Sequence, residues 1–234
     1  MRCETKKHKL NNAGSAIVTV LVVVTFITIL ATVLLYISGR NYQMKVTDYH
    51  TKESFYQAET PVEELRAQLV KDVQIAFAKA YTAAMSEYAA YAELSSDEAR
   101  KAREANYRQR FCDELDKIWK ERCGLIPDSA DLINWEAGIR SVLSPAVNGN
   151  YWDVEVAAAS GWDTGRAVSA GQVILQGVTF TYDSASHYSS IISTDYCVTI
   201  PKVGCWSENY DAEGSVEEML DFSGCINYMN WTKR

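Results

Sequence analysis

The segment from Ala16 to Ile37, AIVTVLVVVTFITILATVLLYI, constrains this chain more than any other stretch. It contains no charge, no Gly and no Pro. At about 1.5 Å per residue it makes a helix of roughly 33 Å, enough to cross a hydrocarbon core of about 30 Å. In front of it stands MRCETKKHKLNNAG, in which Arg2, Lys6, Lys7 and Lys9 form a basic flank. The bias of positive residues toward the cytoplasm predicts an N-terminus inside and residues 38 onward outside. The expectation is a single-pass protein of the cytoplasmic membrane, with the lipid bilayer as its first partner and an extracytoplasmic C-terminal domain.

The 234 residues leave room for an anchor and one domain with a single core. The formal net charge is −7, and the leader 1–14 carries +3, so a chain without it stands at −10. An acidic exterior does not suit sequence-independent binding of nucleic acid, which depends on neutralising phosphates. Of the six cysteines, Cys3 lies in the leader, leaving Cys112, Cys123, Cys197, Cys205 and Cys225 outside. Disulfides persist in that compartment, and an odd count leaves at least one thiol over. Cys197 and Cys205 flank a turn at Pro201 to Gly204 and form the candidate pair; the alternative is that all five are reduced and packed. Cys112 and Cys123, on one continuous helix, stand about 16 Å apart, too far to bridge.

Three readings of the apolar run compete. A cleaved secretory signal has a shorter apolar core and a small-residue cut site, which Tyr36-Ile37-Ser38-Gly39 matches poorly. An uncut signal anchor is the second. The third comes from Asn11-Asn12-Ala13-Gly14 followed by Ser15-Ala16-Ile17: a basic leader ending in Gly and running straight into a long apolar helix resembles a type IV prepilin. In that family a membrane peptidase cuts after the Gly and the new amine is N-methylated. The resemblance therefore implies processing between Gly14 and Ser15, with prepilin peptidase and other pilin or pseudopilin subunits as partners. A second string supports it: Phe55-Tyr56-Gln57-Ala58-Glu59 is similar to the A-F-Y-x-A-E signature of PilX-like minor pilins, where it continues the same long helix. Together the two features cover residues 1 to about 70.

One departure from the family is informative. Major pilins carry Glu at the fifth residue after the cut, where it pairs with a neighbour's terminal ammonium; this chain has Thr19. A carboxylate in lipid is costly unless paired, so its absence removes one assembly contact. Some minor pilins and the tip pseudopilins of type II secretion systems also lack it, and the resemblance then implies a tip or minor position. Within the span, Thr25, Thr28 and Thr32 share a face. Their hydroxyls either bond to another helix or turn back to their own i−4 carbonyls; the second is the preferred expectation.

Beyond the anchor, Thr60-Pro61-Val62-Glu63 has the composition of a capping box, so either Pro61 kinks one long helix or a new helix begins there. Val62, Leu65, Leu69, Val73, Phe77, Tyr81, Ala84, Tyr88 and Tyr91 recur every three or four residues, predicting one buried stripe to about residue 94. Ser95 to Glu98 reads as a fresh cap. A second helix then runs to about Arg122 with Tyr107, Phe111, Leu115 and Ile118 as its stripe, stopped by Gly124. Its charged start, Asp97 to Arg110, reads as a solvated face. The two helices are expected as an antiparallel hairpin, with a short third helix from about Asp131 to Leu143.

After Pro145 the pattern becomes β. Tyr151–Val156, Val173–Tyr182, Tyr188–Ile200 and Cys225–Trp231 read as strands, with residues 160–171 as a loop. In the last strand Cys225, Asn227, Met229 and Trp231 alternate with Ile226, Tyr228 and Asn230. The fold class is therefore α+β: leader 1–14, membrane and assembly helix 15–38, extracytoplasmic helical region 39–144, antiparallel sheet region 145–234.

No catalytic constellation stands out. His187 sits in a Ser-rich turn, and no phosphate loop, H-E-x-x-H or EF-hand spacing occurs. Asp195, Asp211, Glu213 and Asp221 fit no calcium loop and read as surface acids. Trp206, Tyr210 and Trp231 are candidates for an aromatic contact patch, with packing in the sheet core as the plainer reading. The expected function is a minor pilin or pilin-like structural subunit, with no cofactor, metal or enzymatic activity. The alternative is an uncleaved single-pass surface protein with an adhesive or ligand-binding domain.

Overall fold

A computed structural model of the chain describes residues 13–91, 93–124, 134–144, 151–157, 162–163, 170–184, 188–202 and 222–234. The fold is α+β. Helix α1 (Ala13–Ser86) is followed by a 3-10 turn (Tyr88–Tyr91), α2 (Ser96–Cys123) and α3 (Trp135–Arg140). The strands are β1 (Tyr151–Val156), β2 (Trp162–Asp163), β3 (Gln172–Asp183), β4 (Ser189–Thr199) and β5 (Ile226–Lys233). The chain divides into two units, Met1–His50 and Thr51–Arg234. In the first unit every residue from Ala16 to Lys45 is exposed; the second holds the core.

In the second unit α1 buries Ala58, Val62, Leu65, Leu69, Val73, Ala76, Ala80 and Ala84. Of the expected stripe, Val62, Leu65, Leu69, Val73 and Ala84 are buried. Between Val73 and Ala84, Ala76 and Ala80 take the buried places, and Phe77 and Tyr81 lie half-buried beside them. The helix ends at Ser86, short of residue 94, where Glu87 is drawn onto α2 by Asn106 (2.9 Å) and Arg110 (2.6 Å).

No helix begins at Thr60. Pro61 lies inside α1, and the Thr60 hydroxyl donates back to the Tyr56 carbonyl at 3.0 Å. The chain reaches Thr60 already helical, so there is no free first turn for it to cap. Proline has no N–H for the Gln57 carbonyl, the i−4 acceptor. The Trp152 indole of β1 supplies one at 3.1 Å.

Helix α2 begins and ends as expected, with Gly124 at φ +67° closing it. Its Ser95 hydroxyl bonds the Glu98 carboxylate at 2.6 Å rather than a backbone N–H. The helix is antiparallel to α1: Asp72 meets Arg122, Lys79 meets Glu114, and Glu87 meets Arg110. Tyr107, Phe111 and Leu115 are buried as read, and Trp119 joins them fully buried. The charged block is solvated with one exception. Arg103 is 7% exposed, its guanidinium carbon 3.5 Å from the centre of the Tyr88 ring, a cation–π contact that the charge pattern concealed. In α3, Asn134 caps by accepting from Ala137 N at 3.0 Å. The helix stops at Arg140, short of the expected Leu143, and Ser141 to Leu143 form turns whose Val142 and Leu143 N–H groups reach the Ile139 and Arg140 carbonyls; Asp131 to Ile133 lie outside the described residues.

The sheet is antiparallel, in the order β1-β3-β4-β5, with β2 also pairing with β3. Strand β2 corrects the expectation of a plain loop at 160–171. Trp162 is buried against Trp119 (6.3 Å between rings) and Trp135 (6.0 Å), and this anchor draws the chain alongside Leu175 and Ile174. The same cluster brings α3 close to α2, since a Cβ on Gly138 would stand 2.1 Å from Cys123 Sγ.

Strand β4 keeps its alternation, with Ile192, Tyr196 and Val198 in the core. Both neighbours break theirs. In β3, Gln176 and Gly177 together face one residue of β4, so Val173 and Leu175 are buried above the bulge and Val178, Phe180 and Tyr182 below it. In β5, Asn230 (φ +52°) opens a second bulge between the Met229 and Thr232 pairings. Trp231 thereby moves to the face of Tyr228, 5.4 Å away, which overturns its expected alternation with Tyr228. Asp195 of β4 holds both bulges: Oδ1 accepts from Gly177 N at 2.6 Å and Oδ2 from Asn230 Nδ2 at 2.5 Å.

Candidate functional site

The candidate site is the first part of α1, an uncovered apolar surface. Every residue from Ala16 to Ile37 is exposed, and its large apolar side chains are 46–75% exposed. The helix is long and apolar enough to cross a membrane. In water such a surface is strongly unfavourable, at about 25 cal/mol per Å². Thr25, Thr28 and Thr32 return their hydroxyls to Leu21, Val24 and Thr28 carbonyls at 2.7–2.8 Å, the preferred reading, so none presents an unmet donor to lipid. At the end of the run, Arg40 Nε donates to the Tyr36 hydroxyl at 3.2 Å. Gly14 and Ser15 fall in the helical backbone at the start of α1, and Thr19 is exposed within it.

The Phe-Tyr-x-Ala-Glu string is split between core and surface. Ala58 is fully buried, and Phe55 is half-buried with the Lys233 ammonium 3.3 Å from its ring centre. Tyr56 and Glu59 instead line a shallow outward groove with Thr60, Glu63 and Glu64. The helical spacing places Ala58 inward and Tyr56 outward, so half of the string serves packing. Nearby, the Tyr228 hydroxyl bonds Glu63 at 2.7 Å; burial first, then the carboxylate, raises that phenol well above its ordinary range.

Asp195, weighed as a surface acid or calcium ligand, has both oxygens committed to the bulges. Among the described residues no group of three His, Cys, Asp or Glu gathers in a metal-ligand arrangement. Cys205, Trp206, Tyr210, His187, Asp211, Glu213 and Asp221 lie outside the described residues. Cys197 is buried in β4, and its expected partner is among them.

Cys112 and Cys123 are buried on one continuous α2. Burial, helped by Asp113 and Asp116, pushes the Cys112 thiol up to about 12; burial pushes Cys123 up to about 11 against the opposing charge of Arg122. The unfolded thiols ionise near 9, so unfolding releases protons at high pH. This contribution to stability is whole below pH 9 and is lost as pH rises toward 11 and 12. Iodoacetamide at pH 8 should therefore leave both thiols unmodified in the folded chain and alkylate both in denaturant, as read by peptide mass spectrometry.

The contacts that knit this unit were only partly visible beforehand. The pair of Asp72 with Arg122 is absent from the sequence expectations; the signal that could have found it is an acid one position before Val73, on the face of an apolar stripe. The Gln57 carbonyl could be identified as an orphan from Pro61 alone. Nothing in the sequence named Trp152 as its donor. Comparison with protein-family models, with curated proteins and with solved structures finds no match.

Proposed function

We propose that this chain is a pilin-like structural subunit, held in the cytoplasmic membrane by residues 16–37 and assembling with other pilin or pseudopilin subunits through the same helix. The observation that carries the reading is an uncovered apolar surface on a helix whose later part is the spine of a packed α+β unit. Lipid covers that surface while the subunit waits, and neighbouring helices cover it after assembly; the mechanism is association, not catalysis. The leader ending at Gly14 and the string at Phe55 to Glu59 supply the specific likeness to PilX-like minor pilins. Thr19, in the place of the usual Glu, favours a minor or tip position, because a subunit there has no successor whose ammonium it must pair.

The N-terminus and mass of the protein from its native membrane, with and without the host's prepilin peptidase, test this directly. The expected product begins at Ser15, with or without one methyl group, and depends on the peptidase. A chain beginning at Met1 in both backgrounds sinks the pilin reading. It would leave an uncleaved anchor carrying a surface domain, whose adhesive or ligand-binding role would then lie in residues 145–234.

A further inference from the structure

We propose that the stretch of α1 from Tyr56 to Val62 is a hinge, latched in helical form by Trp152. Pro61 deletes one rung of the hydrogen-bond ladder and crowds the carbonyl four residues before it, the usual cause of a helix kink. Three side chains outside the ladder donate to backbone carbonyls within this stretch of about two turns. Thr60 Oγ1 reaches Tyr56 O at 3.0 Å, Trp152 Nε1 reaches Gln57 O at 3.1 Å, and the Tyr196 hydroxyl reaches Val62 O at 3.1 Å. Only the Gln57 carbonyl has lost its ladder partner, so Trp152 is the donor on which the turn depends. The bond is part-buried, and in an open turn water would take the place of the indole at that carbonyl.

The bond is not an incidental result of burying an indole. Trp119, Trp135 and Trp162 are each buried with no acceptor for the indole N–H among the described residues. Trp152 has one, and its own strand is held in turn: Arg140 of α3 donates to the Trp152 carbonyl at 3.0 Å and also contacts Asp153. A line of contacts therefore runs from α3 through β1 to the weak point of α1. The two states are a closed turn with the indole donating and a bent turn with the Gln57 carbonyl hydrated. Their balance is set by the position of β1, independently of the proposal that the chain is pilin-like.

Amide hydrogen exchange on the full chain in detergent micelles tests the latch. Trp152→Phe keeps most of the ring volume and removes the donor. Loss of one hydrogen bond at a semi-buried carbonyl predicts about tenfold faster exchange for residues 58–65, with residues 69–80 of the same helix changed less than about threefold. In a Pro61→Ala background, which restores an N–H to the ladder, the same Trp152→Phe change should leave residues 58–65 within about twofold. Equal acceleration along the whole of α1, or undiminished acceleration in the Pro61→Ala background, overturns the proposal. Should Trp152→Phe fail to fold, Pro61→Ala alone decides: it must slow exchange at residues 58–65 severalfold with Trp152 in place, and no slowing also overturns it.

Discussion

Replacing Arg122 by Met is expected to lower the unfolding free energy by about 3–5 kcal/mol, read from chemical denaturation of the full chain in detergent. The Arg122 guanidinium meets both oxygens of Asp72, at 2.5 and 2.8 Å, and Asp72 is fully buried. Hydrogen bonding to Asp72 raises the Arg122 pKa further above its already high value, outweighing burial, so the cation persists at every accessible pH. Without it, Gln68 at 3.0 Å is the donor that remains to the carboxylate among the described residues, and the charge stands uncompensated in an apolar interface. Arg122 also covers Trp119, its guanidinium carbon 4.6 Å from the ring centre, so part of the loss is packing. The double change Asp72→Leu with Arg122→Met should recover most of the stability, because removing both charges costs far less than stranding one. A single-variant loss below about 1 kcal/mol would mean that solvent reaches the pair.

Asp195→Ala is expected to cost about 3 kcal/mol, since two hydrogen bonds to one carboxylate are each worth roughly 1.5 kcal/mol or more. The graded comparison is Asp195→Asn, which keeps an oxygen for Gly177 N but turns an amine toward Asn230, and should lose about half as much. Thermal unfolding followed in the near-ultraviolet reports this well, because Trp231 sits beside the Asn230 bulge. If Asn and Ala at this position prove equally mild, the bulges are fixed by their own backbones and not by the carboxylate.

These two residues also mark where sequence reading succeeds and where it stops. Local periodicity was enough for α2 from Ser96 to its Gly124 stop, for β1 at Tyr151–Val156, and for the buried face of Val178, Phe180 and Tyr182. Each depends on neighbours within one turn or one pleat. Strict alternation puts Trp231 on the wrong face because its side is set by the bulge at Asn230, which is held by a carboxylate on the neighbouring strand β4, 35 residues earlier in the chain. Trp162 looked like part of a Gly- and Ser-rich loop because the rings that bury it come from α2 and α3. Arg103 was hidden in a charged block by Tyr88, which lies across a helix boundary. Of the candidate site, the apolar span was fully legible, since its exposure follows from composition alone. The proposed processing and assembly roles of Gly14, Ser15 and Thr19 rest on the leader and its likeness to prepilins.

The sheet can also be viewed as text with a reading frame of two, in which each strand spells inside and outside by turns. Strand β4 keeps its frame from end to end. Strands β3 and β5 each carry a one-letter frameshift beside it, at neighbouring levels, and Asp195 spans both. A deletion that restored strict alternation in β3 would turn either Val173 and Leu175 or Val178, Phe180 and Tyr182 outward, while β5 stayed shifted. The two insertions are therefore expected to be kept or lost together as this chain diverges, with the acid between them as their shared mark.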